Sequence, residues 1–151
     1  MSLKLTSPLL GGPEKIAAER DESRLNISVI YTGVESTLAA LKHAGELASS
    51  LGARITLVAT QLVPYPLPLR SPAVSPDFNE QRFRVIAGQS RVETNVMVYL
   101  CRDRVETLKD ILRPRSLVVI GGSKGWWPTH EQRLASKLRR AGHEVVFSEM
   151  E

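Results

Sequence analysis

Apolar and polar positions along the chain predict five buried strands. The segment LNISVIYTG (25–33) is β-branched and apolar and breaks at a glycine, as buried strands do. Four further segments have the same character: ARITLVATQLV (53–63), VETNVMVYLC (92–101), SLVVI (116–120) and EVVFSE (144–149). Short apolar strands of this kind are typical of parallel sheets, which are covered on both faces.

Four helices are predicted between these strands. In ESTLAALKHAGELASSLG (35–52) the leucines and alanines recur three or four residues apart, while Ser36 can cap the start and Gly52 the end. The other three are DFNEQRFRVIAGQ (77–89), DRVETLKDIL (103–112), which Asp103 can cap, and THEQRLASKLRRAG (129–142). Strands and helices that alternate in this way demand right-handed crossovers and a parallel sheet with helices on both faces. The predicted fold class is therefore α/β.

Two stretches lie outside this alternation. Residues 1–23 carry mixed charge, proline and glycine, and we expect a flexible N-terminal arm ahead of an α/β domain at 24–151. The segment PYPLPLRSPAVSP (64–76) holds five of the nine prolines, which excludes a regular helix or a central strand. We expect it to be a surface loop that acts as a lid or as a docking surface.

A glycine-rich turn follows the fourth predicted strand in SLVVIGGSKG (116–125). Together with the five β/α units, and with ITLVATQLVP (55–64) before a proline-broken insertion, this turn makes the chain from Arg24 onward resemble the universal stress proteins. The resemblance implies a single open five-stranded parallel sheet in the strand order 3-2-1-4-5. It also implies a site for ATP or another adenine nucleotide at the carboxyl ends of the strands, where open α/β sheets bind ligands.

The resemblance also implies which residues would contact a nucleotide. In the family the turn has the pattern G-x-x-G, then nine residues, then G-[S/T]; glycine amides and a hydroxyl of this kind approach phosphate oxygens. Counting from Gly125 places Ala135 and Ser136 at the final pair, with alanine in place of glycine. The residues implied for phosphate are Gly122, Ser123, Lys124, Gly125 and Ser136. Those implied near the adenosine, at the ends of the first two strands, are Thr32, Gly33 and Thr60.

Departures from the family pattern predict that this site is weakened or lost. Thr32 stands where ATP-binding relatives have an acid, so the charged anchor for the nucleotide is missing. If the last helix is aligned on LRRAGHEVV (138–146), the phosphate loop is about four residues short, and Ser136 lies inside the helix. The segment Trp126–Trp127–Pro128 then forms a compact corner, and its two indole rings would fill the volume that a triphosphate needs.

Composition and charge exclude several other classes of function. The net charge of +4 is too weak to indicate nucleic acid, and its local excess at Arg133, Lys137, Arg139 and Arg140 is typical of a solvated helix face. A single cysteine, no apolar run near the roughly 20 residues that span a bilayer, and a poor secretion signal favour the cytoplasm, with no membrane partner.

Catalytic chemistry is not predicted for any residue. Cys101 is expected to be a buried, inert thiol, since no histidine or asparagine forms an evident partner motif. His43, His130 and His143 lack the spacing of metal ligands, and no metal is expected.

The final predicted strand indicates a homodimer. It leaves a sheet edge without a covering element, and such edges pair with another copy of themselves. Universal stress proteins commonly dimerise through this strand, so the resemblance implies a two-fold interface that contains Val145, Val146 and Phe147.

Three functions stay open on the sequence. The first is a dimeric, non-catalytic stress-response or signalling module in which ATP binding is weak or lost. The second is an ATP-binding member of the family with slow ATPase or nucleotide-dependent switch activity. The third is a scaffold that docks a protein partner through the 64–76 loop and the basic fourth helix.

Overall fold

The computed structural model describes residues 2–6, 25–63, 76–90, 92–113, 116–123 and 129–150. The strands within these residues are β1 (Ser2–Thr6), β2 (Asn26–Ile30), β3 (Arg54–Leu62), β4 (Thr94–Cys101), β5 (Leu117–Gly122) and β6 (Glu144–Glu149). The helices within these residues are α1 (Val34–Leu51), α2 (Pro76–Ala87), α3 (Arg104–Ile111) and α4 (His130–Arg140). The 64–76 loop predicted from the prolines lies outside the described residues, except for Pro76 at the start of α2.

The strands form one sheet in the order β1-β4-β3-β2-β5-β6. All neighbouring pairs among β2 to β6 are parallel. Counted from β2, these five strands have the order 3-2-1-4-5, so the predicted α/β class and strand order are confirmed.

A sixth strand lies at the edge of the sheet and was not predicted. β1 pairs antiparallel with β4, with Ser2 opposite Cys101 and Thr6 opposite Met97. The prediction of a flexible arm is therefore wrong for residues 2–6, while the remainder of 1–23 lies outside the described residues. The physical reason is that β4 would otherwise present a row of unpaired backbone groups, which a short β-compatible segment such as SLKLT can satisfy.

Helices cover both faces of the sheet, as the alternation predicts. On one face α1 and α2 pack against the sheet through a cluster that includes Leu41, Phe83 and Leu57. On the other face α3 and α4 pack through a cluster that includes Leu108, Leu138 and Ile120. The same strands supply both clusters with alternate residues, because successive side chains of a strand point to opposite faces.

Local capping fixes where the helices begin and end. Gly52 ends α1 in the left-handed conformation with φ 65°, and Asp103 caps α3 by accepting the Glu106 N–H at 3.1 Å, both as predicted. The expected cap by Ser36 is wrong. The N-cap of α1 is Gly33, and Ser36 lies one turn further on with its side chain buried.

Candidate functional site

The carboxyl ends of β2 and β5 form the place where a ligand is expected. These two strands are parallel neighbours, and the chain order of the sheet reverses between them. β2 leads into α1 on one face, and β5 is followed by α4 on the other. In open α/β sheets the crevice at such a switch point is where ligands bind.

Thr32 bridges this crevice with its own hydroxyl. The Thr32 hydroxyl donates to the Gly121 carbonyl oxygen at 3.1 Å, and its oxygen lies 2.9 Å from Ser36 Oγ. A hydroxyl carries one hydrogen, so while Thr32 donates to Gly121 it accepts from Ser36. The end of β2, the first turn of α1 and the end of β5 are therefore joined by protein groups.

Gly121 is a glycine because two backbones meet there. A Cβ on Gly121 would lie 2.8 Å from the carbonyl carbon of Ser36 and would overlap its oxygen. The left-handed glycines among the described residues are Gly52 and Gly142, so the backbone angles of Gly121 do not require glycine. The helix that follows β2 thus packs directly on the end of β5, and this close packing is sufficient reason for the residue.

Gly122 has a packing role of a similar kind. A Cβ there would lie 2.9 Å from Glu131 Cβ and 2.9 Å from Phe147 Cζ, so the glycine lets the first turn of α4 approach β5. The carbonyl of Gly122 accepts the Met150 N–H at 2.9 Å, which extends the pairing with β6. Close packing against α1, α4 and β6 is therefore enough to account for glycine at both positions, and a bound phosphate is not needed.

The N-terminus of α4 is satisfied by side chains of the chain itself. Thr129 Oγ1 accepts the Gln132 N–H at 3.2 Å, and Gln132 Oε1 accepts the Thr129 N–H at 3.0 Å, which together form a capping box. Glu131 lies in the same turn. Its carboxylate therefore supplies the negative charge that the positive end of the helix favours, at the place where a phosphate would otherwise bind. The N-terminus of α4 therefore already has hydrogen-bond acceptors and a negative charge from the chain itself.

The fold places only some of the other residues that were predicted to contact a nucleotide near the ends of β2 and β5. Gly33 is adjacent to Thr32, and its N–H faces Thr37 Oγ1 at 3.5 Å. Thr60 is half-buried on β3, two residues beyond the partner of Ile30, and Ser123 is exposed directly after β5. Lys124 and Gly125 lie outside the described residues, as does the Trp126–Trp127–Pro128 corner.

Ser136 lies apart from this crevice. It is exposed in the middle of α4, about 9 Å along the helix axis from His130. This is the position given by the alignment on LRRAGHEVV, in which the phosphate loop is short.

Sequence reasoning missed the residues that close the crevice. The buried hydroxyl of Thr37 accepts the Thr32 N–H at 3.2 Å. The Gly33 carbonyl oxygen lies 3.3 Å from Ser36 Oγ and is an alternative acceptor for the Ser36 hydroxyl when it does not donate to Thr32. The T-x-x-Q spacing of Thr129 and Gln132 was a readable signal for the capping box. No local signal exists for the contact between Thr32 and Gly121, which are 89 positions apart.

Titratable groups elsewhere in the described residues show neither a reactive thiolate nor a cluster of metal ligands. Burial raises the pKa of the Cys101 thiol, an effect that a hydrogen bond from Thr107 partly offsets, so the thiol stays protonated near neutral pH. His143 is buried, with Nδ1 3.1 Å from Ser116 Oγ. No group of three or more His, Cys, Asp or Glu side chains among the described residues could hold a metal ion.

The outer edge of β6 carries the predicted dimer residues. The N–H groups of Glu144 and Met150 donate toward the β5 side, to Ser116 and Gly122. Because alternate residues of a parallel strand bond in opposite directions, the backbone groups of Val145, Phe147 and Glu149 face away from the sheet. Arg139 covers one of them, since its guanidinium donates to the Val145 carbonyl at 2.9 Å.

Comparison with known proteins identifies no family for this sequence. No family model matches it, and no curated protein matches it significantly. A solved universal stress protein in complex with cAMP is similar over 85% of this chain and 98% of that chain, with 18% sequence identity and a TM-score of 0.46. At that identity and TM-score the likeness carries no information about a ligand or an activity of this chain. Within the described residues, no helix is long and apolar enough to cross a membrane.

Proposed function

We propose that this protein is a dimeric, non-catalytic stress-response or signalling module of the universal stress protein type that has lost its adenine nucleotide site. The observation that carries the proposal is the hydrogen bond from Thr32 to the carbonyl of Gly121 across the switch point. A nucleotide that lay across the ends of β2 and β5 would have to displace this bond. It would also have to open the packing of α1 on Gly121.

The charges around the crevice support the same conclusion. Glu35 is in the first turn of α1, and Glu131 is in the first turn of α4. Acidic side chains at these positions stabilise the helices but repel a triphosphate. Thr32, in the place of the family's acid, already uses its hydroxyl within the protein. The slow ATPase and the nucleotide switch both need the crevice that these groups occupy.

We further propose that the dimer forms along β6. The outward backbone groups of Phe147 and Glu149 offer an antiparallel copy of the strand a place to pair. Val146 and Phe147 are half-buried in the single chain and would lose further exposure to water at such a seam. The cytoplasmic location expected from the cysteine content belongs to the same proposal.

Ligand binding tests the lost site directly. Thermal unfolding should be followed with neutral adenosine, cAMP and magnesium ATP, because adenosine probes the crevice without any contribution from charge. A site that is saturated at 100 times its dissociation constant would add about 2.7 kcal/mol, which for a chain of this size raises Tm by roughly 5–11 °C. We expect no shift with adenosine or cAMP, and no adenine nucleotide in mass spectra of the denatured purified protein. A shift of that size with adenosine or cAMP, or a stoichiometric co-purified nucleotide that adenosine displaces, would contradict the proposal.

A further inference from the structure

A basic groove lies between α4 and the outer edge of β6. Its volume is about 670 Å³, within the range of small-ligand sites. Four of its lining residues are basic and one is acidic. The basic ones are Arg133, Lys137, Arg139 and Arg140, and the acidic one is Glu149. We call this surface the α4–β6 groove.

The positive charge of the α4–β6 groove is exposed and largely uncompensated. Arg133, Lys137 and Arg140 have exposed side chains, and none of them forms an ion pair with another described residue. Arg139 is held over the strand edge by its bond to Val145, which fixes one guanidinium at the wall of the groove. Ser136 adds a hydroxyl to the same lining. Guanidinium groups beside a hydroxyl match the oxygens of a phosphate-class anion.

Pairing two copies along β6 would bring two such grooves together. α4 packs over β5 and β6 through Ala135 and Leu138. If two β6 strands pair, the two-fold axis between them lies about one strand spacing from the axis of α4. The two α4 helices would then be about 10 Å apart, the distance of packed helices. A Cβ on Gly122 would meet both Glu131 and Phe147, which shows that the first turn of α4 lies beside Phe147. A two-fold axis near Phe147 would therefore set Arg133 close to its symmetry mate.

We propose that the α4–β6 groove binds a polyvalent anion of the phosphate class, and that this anion permits two copies to pair along β6. The inference rests on the β6 dimer of the proposed function. Without an anion, arginines from both copies would face one another at about the Debye length of physiological salt, where their repulsion is only partly screened. An oxyanion between the helices would neutralise both sets of charges and accept hydrogen bonds from each.

Tripolyphosphate is a suitable probe, and sedimentation velocity is a suitable measurement of assembly. We expect the wild-type chain to be a monomer in sodium chloride and a dimer when tripolyphosphate is added at the same ionic strength. Isothermal titration should show tripolyphosphate binding. The double variant Arg133→Gln/Arg140→Gln should lose that binding and should dimerise without any anion, with a dimer dissociation constant lower than that of wild type by about tenfold or more.

A matched variant controls for the loss of two charges. Arg82→Gln/Arg113→Gln removes two exposed arginines outside the groove, so its assembly and its tripolyphosphate binding should stay as in wild type. Equal assembly of wild type and the groove variant in sodium chloride would overturn the proposal, as would a wild type that binds no tripolyphosphate. A stable dimer in all conditions would overturn the anion requirement and leave the β6 dimer intact. Monomers in all conditions would overturn the β6 dimer as well, while the thermal test with adenosine would still decide the lost nucleotide site separately.

Discussion

Replacement of Gly121 by alanine tests the close packing that closes the crevice. The added Cβ would lie 2.8 Å from the carbonyl carbon of Ser36 and would overlap the oxygen, and both atoms belong to backbone. The first turn of α1 must therefore retreat by on the order of 1 Å. This movement pulls Ser36 away from the Gly121 strand end and strains the Thr32 hydrogen bond to Gly121.

The expected cost follows from these two losses. Overpacking of a well-filled site costs about 1–3 kcal/mol, and the loss of one hydrogen bond about 1 kcal/mol. Gly121→Ala should thus lower the free energy of unfolding by about 2–4 kcal/mol, a large share of the 5–15 kcal/mol typical of a domain. Urea denaturation followed by circular dichroism measures this quantity, and the midpoint should fall without a change in slope.

Gly45→Ala is the matched control for the same chemical change. Gly45 lies within α1, and a Cβ there would come no closer than 3.8 Å to Ser90 Oγ. Alanine is the better helix former, so this variant should be more stable by about 0.5–1 kcal/mol. A Gly121→Ala protein that is as stable as wild type, or that responds as Gly45→Ala does, would refute the close approach of α1 to β5.

Three further predictions concern single side chains. Thr32→Val keeps the shape of the residue but leaves the Gly121 carbonyl without its donor, so urea denaturation should show a loss of about 1–2 kcal/mol, and titration should show no gain in nucleotide affinity. Thr129→Ala removes the capping box of α4 and should cost about 1 kcal/mol in the same assay; an unchanged midpoint would contradict the cap. Cys101 is fully buried with a raised pKa, so iodoacetamide should label the native protein at least about tenfold more slowly than the urea-unfolded chain; equal rates would contradict its burial.

The fold could be predicted because its signals are local. Each strand of the parallel sheet is a short apolar run, and each helix has apolar residues at helical spacing. Asp103 and Gly52 could be identified as caps because their partners lie within a few residues. β1 could not be predicted in this way, because SLKLT becomes a strand only through pairing with the edge of β4, whose residues are far along the chain.

The state of the candidate site depends on contacts that no short segment reveals. The missing acid at Thr32 predicted a weakened site, and that remains a prediction. The structure adds a hydrogen bond from Thr32 to Gly121, which joins distant parts of the chain and which no short segment indicates. The glycines at the end of β5 suggested a phosphate turn. The structure shows a further reason for Gly121 and Gly122, which is the close approach of α1 and α4 to the strand. A glycine pattern indicates that something comes close to the backbone, and only the assembled fold identifies it.

The most direct test of the closed crevice is an amide NMR titration of the wild-type protein with magnesium ATP at millimolar concentration. The amide signals of Thr32, Gly33 and Gly121 should stay in place, because their surroundings are filled by Ser36 and Thr37. Any shifts should be confined to the residues of the α4–β6 groove and to the β6 amides that face the proposed pairing edge, those of Val145, Phe147 and Glu149. Saturable shifts at Thr32 and Gly121 would contradict the central claim, since they would place the nucleotide between the ends of β2 and β5.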